Sequence, residues 1–176
     1  SVHEVLKRNP VFLETYAQWK ASGQLEALLD PILKSYRDKL ADRRPSVDIE
    51  VFHSPYANGI ILYPDDGGVE IHMEFLMEYI REALEGEGYR LVHADRKLKE
   101  KGRDVQGLEK YYLKPPMSAD LPIDQLFGNV ILELYYRNER PVKLKMMVNV
   151  YSDRLYSKPR SFEDLIFMLF EKNTGS

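Results

Sequence analysis

The chain has 176 residues, 44% hydrophobic and 30% charged, with a formal net charge of −3; that suits one soluble domain with a single core. The charge balance speaks against a dedicated nucleic-acid-binding domain, though it leaves room for a local basic patch. With no cysteine, disulfides, zinc–thiolate sites, iron–sulfur clusters and cysteine nucleophiles are excluded. No apolar run approaches the roughly 20 residues that span a bilayer. The opening SVHEVLKRNP has no apolar segment, so no signal peptide is expected and a cytoplasmic location is.

Asn9-Pro10 reads as a helix cap followed by proline at the first helical position. Val11, Phe12, Tyr16 and Trp19 then recur at helical spacing up to Ser22-Gly23. Leu25, Leu28, Leu29, Ile32, Leu33, Tyr36 and Leu40 continue it. Asp30-Pro31 predicts a kink or a fresh helix start inside that run. Residues 1–42 are thus a helical segment of two or three helices in series.

Val47, Ile49 and Val51 alternate with Asp48, Glu50 and Phe52, which predicts a half-buried strand. HSPYANG is a turn and IILY the returning strand. PDDGG breaks the chain, and an amphipathic helix over 69–86 ends at Gly86 and Gly88. YRLVHA predicts a strand, DRKLKEKGRD an exposed charged connection, and GLEKYYLK another strand closed by Pro115-Pro116. Residues 117–127 read as loop, 128–137 and 142–151 as a hairpin. Ser161 caps a terminal helix within 161–172. The sum is a single α+β domain over 1–176, with a mainly antiparallel sheet of about six strands in 47–151, a central helix and a C-terminal helix.

In the hairpin, Leu132, Leu134 and Tyr136 lie on one side with Val142, Leu144, Met146, Val148 and Val150. Their alternation fixes the register, because a one-residue slip would turn every side chain over. It sets Tyr136 against Val142, Leu134 against Leu144, Leu132 against Met146, Glu133 against Lys145 and Tyr135 against Lys143. The second side is either a solvated sheet face or a surface for an anionic or planar ligand. In the latter case Tyr135 stacks and Lys143 and Lys145 supply charge.

The remaining chemistry is sparse. His3, His53, His72 and His93 show no metal-ligand spacing, and no nucleophile elbow, P-loop or dinucleotide fingerprint is present. The glycines of DDGG could offer N–H groups to a phosphate, but the adjacent aspartates oppose it. Asp48 and Glu50 project from one face of a strand, and Glu133 stands on a later one. If they converged, three carboxylates could hold Mg²⁺ for nucleotidyl or phosphoryl transfer. That pattern resembles the carboxylate triad of minimal nucleotidyltransferases, without the Gly-Ser motif those enzymes carry shortly before the first pair. Arg96, Lys97, Lys99, Lys101 and Arg103 form a basic run diluted by Asp95, Glu100 and Asp104, a second route to nucleic-acid contact.

On the helix 69–86, Val69, Met73, Leu76, Met77, Ile80 and Leu84 share the core-facing arc. Glu70, Glu74, Glu78, Glu82 and Glu85 crowd the next, with Arg81 nearby. Ile71, Phe75 and Tyr79 form a second apolar stripe. Either the N-terminal helices cover it, or it is an interface with a protein partner or a second copy. The reading that follows is a non-catalytic binding or protein-interaction domain with no metal, cofactor or membrane partner, and with nucleic acid not favoured.

Overall fold

The computed structural model describes residues 9–53, 57–64, 72–101, 104–115, 128–138, 140–149 and 166–167, with the backbone alone at 95–101, 104–106 and 149. Helix α1 spans Pro10–Ala21, and the Asn9 carbonyl side chain accepts from the N–H of Val11 at 3.1 Å and of Phe12 at 3.5 Å. Two of the first-turn N–H groups that a helix leaves open are thereby satisfied. Gly23 takes the left-handed region at φ 79°, which a Cβ would oppose, and the chain turns there into α2, Gln24–Leu40.

α2 runs unbroken through Pro31, so the predicted fresh start is corrected. Proline leaves unbonded only the carbonyl four residues back, and that residue, Ala27, is exposed. Leu25, Leu28, Leu29, Ile32, Leu33 and Tyr36 bury one face. Helix α3 spans Met73–Gly86, and Gly88 at φ 94° follows its end.

Six strands, β1 (Ile49–His53), β2 (Ala57–Leu62), β3 (Arg90–Lys101), β4 (Asp104–Lys114), β5 (Asn129–Arg137) and β6 (Arg140–Asn149), form one sheet. Their order is β1-β2-β6-β5-β4-β3, antiparallel at every pairing. The fold is α+β, as expected. α2 packs on β1, α1 on α2, and α3 on β3, β5 and β6. The core lies between, where Ile49, Ile60, Leu62, Leu113, Val130, Leu132, Leu134, Leu144, Met146 and Val148 meet the helices' buried faces.

The hairpin register matches the expected one at Leu132↔Met146, Glu133↔Lys145, Leu134↔Leu144 and Tyr135↔Lys143. It departs at the turn, where Tyr136 pairs with Pro141 and not with Val142. The register shifts between Tyr135 and Tyr136, and Asn138 adopts φ 49°. The charged stretch from Asp95 is also a correction. It is no connection but half of a β3–β4 hairpin, with Arg96↔Glu109, Lys97↔Leu108 and Lys99↔Gln106 opposed. An edge strand rich in lysine lacks apolar alternation because it discourages further pairing, not because it is unstructured.

The glycines of DDGG, Ile71, the loop 117–127 and the terminal helix lie outside the described residues, apart from Ile166 and Phe167. Ile166 is buried, and the Phe167 ring meets that of Tyr36 edge-on at 6.4 Å. No described helix is long and apolar enough to cross a membrane.

Candidate functional site: the helix-free sheet face

Because side chains alternate along a strand, every residue between two core positions points away from the described helices, and the face is helix-free among the described residues. Successive registers assemble these into rows across the sheet. One row reads Glu50, Ile61, Lys145, Glu133, Lys110. The next reads Phe52, Gly59, Met147, Ile131, Tyr112, His93. Lys143, Tyr135 and Leu108 lie on the other side of the first.

Cations sit on rings here. The Lys143 ammonium lies 4.4 Å from the centre of the Tyr135 ring, and that of Lys145 lies 5.0 Å from that of Phe52. Such pairs hold a lysine head over an aromatic face without removing its charge. The three expected ligand-binding residues, Tyr135, Lys143 and Lys145, are therefore neighbours on one surface. Phe52 and Lys110 join them, and sequence reasoning missed both. Strand order was the missing information: β1 lies two strands from β6, and β4 beside β5.

Glu133 is the unusual member, only 7% exposed although it points away from the core. One carboxylate oxygen, Oε2, accepts from the Tyr135 hydroxyl at 3.3 Å. Burial first, then the Glu133 charge, push the Tyr135 phenol up to about 12. Lysines stand opposite Glu133 on both neighbouring strands. Neither makes an ion pair with it among the described residues, and Lys145 turns to Phe52 instead.

The three carboxylates of the metal reading do not converge. Asp48 and Glu50 belong to β1 and its approach, Glu133 to β5, with β2 and β6 between them. Three strand spacings amount to about 14 Å, far beyond what one cation bridges. Glu50 instead accepts from the Tyr63 hydroxyl at 3.0 Å. No group of three or more His, Asp or Glu among the described residues could hold a metal ion. His53 and His93 lie on β1 and β3, the opposite edges of the sheet, and cannot act as a pair.

The second stripe of α3 meets its own chain. The Phe75 ring lies 5.5 Å from Phe12, 5.9 Å from Tyr16 and 5.4 Å from Trp19, centre to centre. Tyr79 is buried as well. A partner binding through Phe75 and Tyr79 would first have to displace α1. The α3 glutamates also find relief within the chain. Glu82 accepts from Tyr16 at 2.8 Å and Lys20 at 3.2 Å, Glu74 from Tyr136 at 3.1 Å, and Glu78 and Glu85 from the fully buried Arg81.

No protein-family model matches the chain, and no significant match was found among curated proteins or solved structures.

Proposed function

We propose that the protein is a binding domain, without catalytic activity of its own, that holds an anionic planar ligand against the helix-free face of its sheet. The observation that supports this is the pairing of lysine heads with aromatic rings on one surface, Lys143 with Tyr135 and Lys145 with Phe52. A planar group can stack beside the rings while a phosphate or carboxylate meets the ammonium groups. The same reading needs no convergence of acids or bases, which the strand order does not provide.

Titration of isotope-labelled protein with AMP and with GMP, followed through backbone amide shifts, tests it. Perturbations are expected to cluster on β4, β5 and β6 around Tyr135, Lys143 and Lys145. The double variant Lys143→Ala/Lys145→Ala should weaken binding about tenfold or more, since a charge-assisted contact contributes roughly 1.5 kcal/mol or more. Absence of shifts on the sheet, or shifts confined to the helices, would refute the reading.

A further inference from the structure

We infer that the ligand is a single-stranded nucleic acid lying across the strands, and that Glu133 selects guanine within it; this rests on the binding reading above. Charge segregation is the first support. The whole chain carries a net −3, yet among the residues whose side chains are described, the helix-free side of β3 to β6 presents Arg90, Lys110, Lys114, Lys143 and Lys145 against Glu133. Arg90 and Lys114 are opposed in register and exposed, next to core-facing Leu91 and Leu113. On the other side of the sheet, the stretch 72–88 carries five glutamates and one arginine. A polyanion is drawn to the lysine-bearing face and not to α3.

Extent is the second support. β6, which carries Lys143 and Lys145, and β3, which carries Arg90, are three strand spacings apart, about 14 Å across the sheet, and β1 with Phe52 lies two spacings beyond β6 on the other side. Phe52, Tyr112 and Tyr135 are spread over that span, so several bases can stack in turn. Sequence-tolerant stacking along a cationic track is how single strands are held.

Glu133 supplies the third. A carboxylate accepts and does not donate, and each of its oxygens has two lone pairs. Oε2 is engaged by Tyr135, while Oε1 has no partner among the described residues. Guanine alone among the four RNA bases offers two adjacent donors on its Watson–Crick edge, N1–H and the N2 amino group, spaced to meet both oxygens of one carboxylate. A base stacked beside Tyr135 brings that edge toward Glu133, with Lys110 and Lys145 in reach of the flanking phosphates.

The test is fluorescence anisotropy with labelled oligouridylate octamers, one all-uridine, one with a central guanosine and one with inosine there, plus the DNA twin of the guanosine octamer. Wild-type protein should prefer guanosine over all-uridine about tenfold. Inosine, which lacks the amino group, should fall between. Glu133→Gln should lose the preference, its guanosine and all-uridine octamers binding equally whatever the overall affinity. The affinity should fall with salt at a log–log slope of about −2, from about −0.7 per phosphate and three lysine contacts. The DNA twin binding as tightly would extend the inference to both sugars, and weaker binding would assign it to RNA. Equal binding of guanosine, inosine and uridine octamers by the wild-type protein overturns the guanine assignment, and needs no variant to fold. If no octamer binds while AMP and GMP still shift the Lys143 and Lys145 amides, the nucleic-acid inference falls and the ligand reading stands. If neither binds, both fall.

Discussion

Asp38 shows how this chain treats a charge it covers. It lies in the last turn of α2, 6% exposed, where the carbonyl end of the helix dipole disfavours a negative group. The Lys34 ammonium, one turn back, donates to it at 2.8 Å, and the Arg43 guanidinium stands 4.0 Å away. The Lys34 hydrogen bond holds the carboxyl below the usual aspartate range and outweighs the desolvation that raises it. Arg81 has its own answer, donating to Glu78 and to Glu85 at 2.9 Å with no exposed surface. Glu133 accepts from a tyrosine hydroxyl and, among the described residues, has no cationic partner. The sign of the Asp38 effect follows from linkage. A folded pKa below the unfolded value means that the contribution is present above about pH 4 and is lost as pH falls through the folded value. Asp38→Asn should therefore be less stable than wild type at neutral pH, with the difference shrinking toward pH 2. Urea midpoints of both proteins between pH 7 and pH 2 check this. Parallel curves would mean that Asp38 titrates alike in folded and unfolded chains.

Gly59 makes the corresponding point about elements. It sits in β2 where β6 and the Phe52 ring close in. A Cβ there would meet the Met146 carbonyl oxygen, Phe52 Cζ at 2.7 Å and Met147 Cα at 2.9 Å. Two of the three are backbone, so neither side can yield cheaply. Gly59→Ala should destabilise by about 1–3 kcal/mol, the usual range for overpacking, and thermal melts will measure it. A neutral effect would mean that the strands part more easily than their packing implies. The same ring over the same glycine explains what the sequence could and could not disclose. The β5–β6 register was legible because apolar alternation on both strands admits one alignment, and it lapsed only at Tyr136, where the register shifts beside the Asn138 turn. Lys143, Lys145 and Tyr135 were legible as one surface for the same reason. The β3–β4 hairpin was legible only at YRLVHA and GLEKYYLK; its charged outer part was not, since an edge strand of lysines and acids carries no period-two signal. Nor was the wide separation of Glu50 from Glu133, because strand order depends on contacts distant in sequence. Phe52 and Lys110 were missed for that reason as well.

At the scale of the whole molecule, tyrosine–glutamate hydrogen bonds recur in both layers, and one of them joins the sheet to α3. Tyr16 on α1 donates to Glu82 on α3, and Tyr136 on β5 donates to Glu74 on α3. On the other face, Tyr63 donates to Glu50, and Tyr135 to Glu133 within β5. Burial raises each of these phenols, and a neighbouring glutamate adds to it: Tyr16 and Tyr136 far above the usual value, Tyr135 to about 12, Tyr63 upward. Burial and then Glu26 raise Tyr79 to about 12. A pKa raised in the folded state gives stability that is complete below the unfolded value near 10 and is lost as pH climbs toward the folded values. Five of the chain's 12 tyrosines act in the same direction, so the loss is shared by both layers. Stability should be flat from neutral pH to about 10 and then fall steeply, with unfolding and release of the buried phenols in one step. Phenolate absorbance followed together with near-ultraviolet circular dichroism tests this. The phenolate signal of these five should appear only as the native spectrum is lost. A single phenolate rise near pH 10 with native dichroism retained would show that these five tyrosines ionise freely in the folded protein, and that their burial and hydrogen bonds do not couple to its stability.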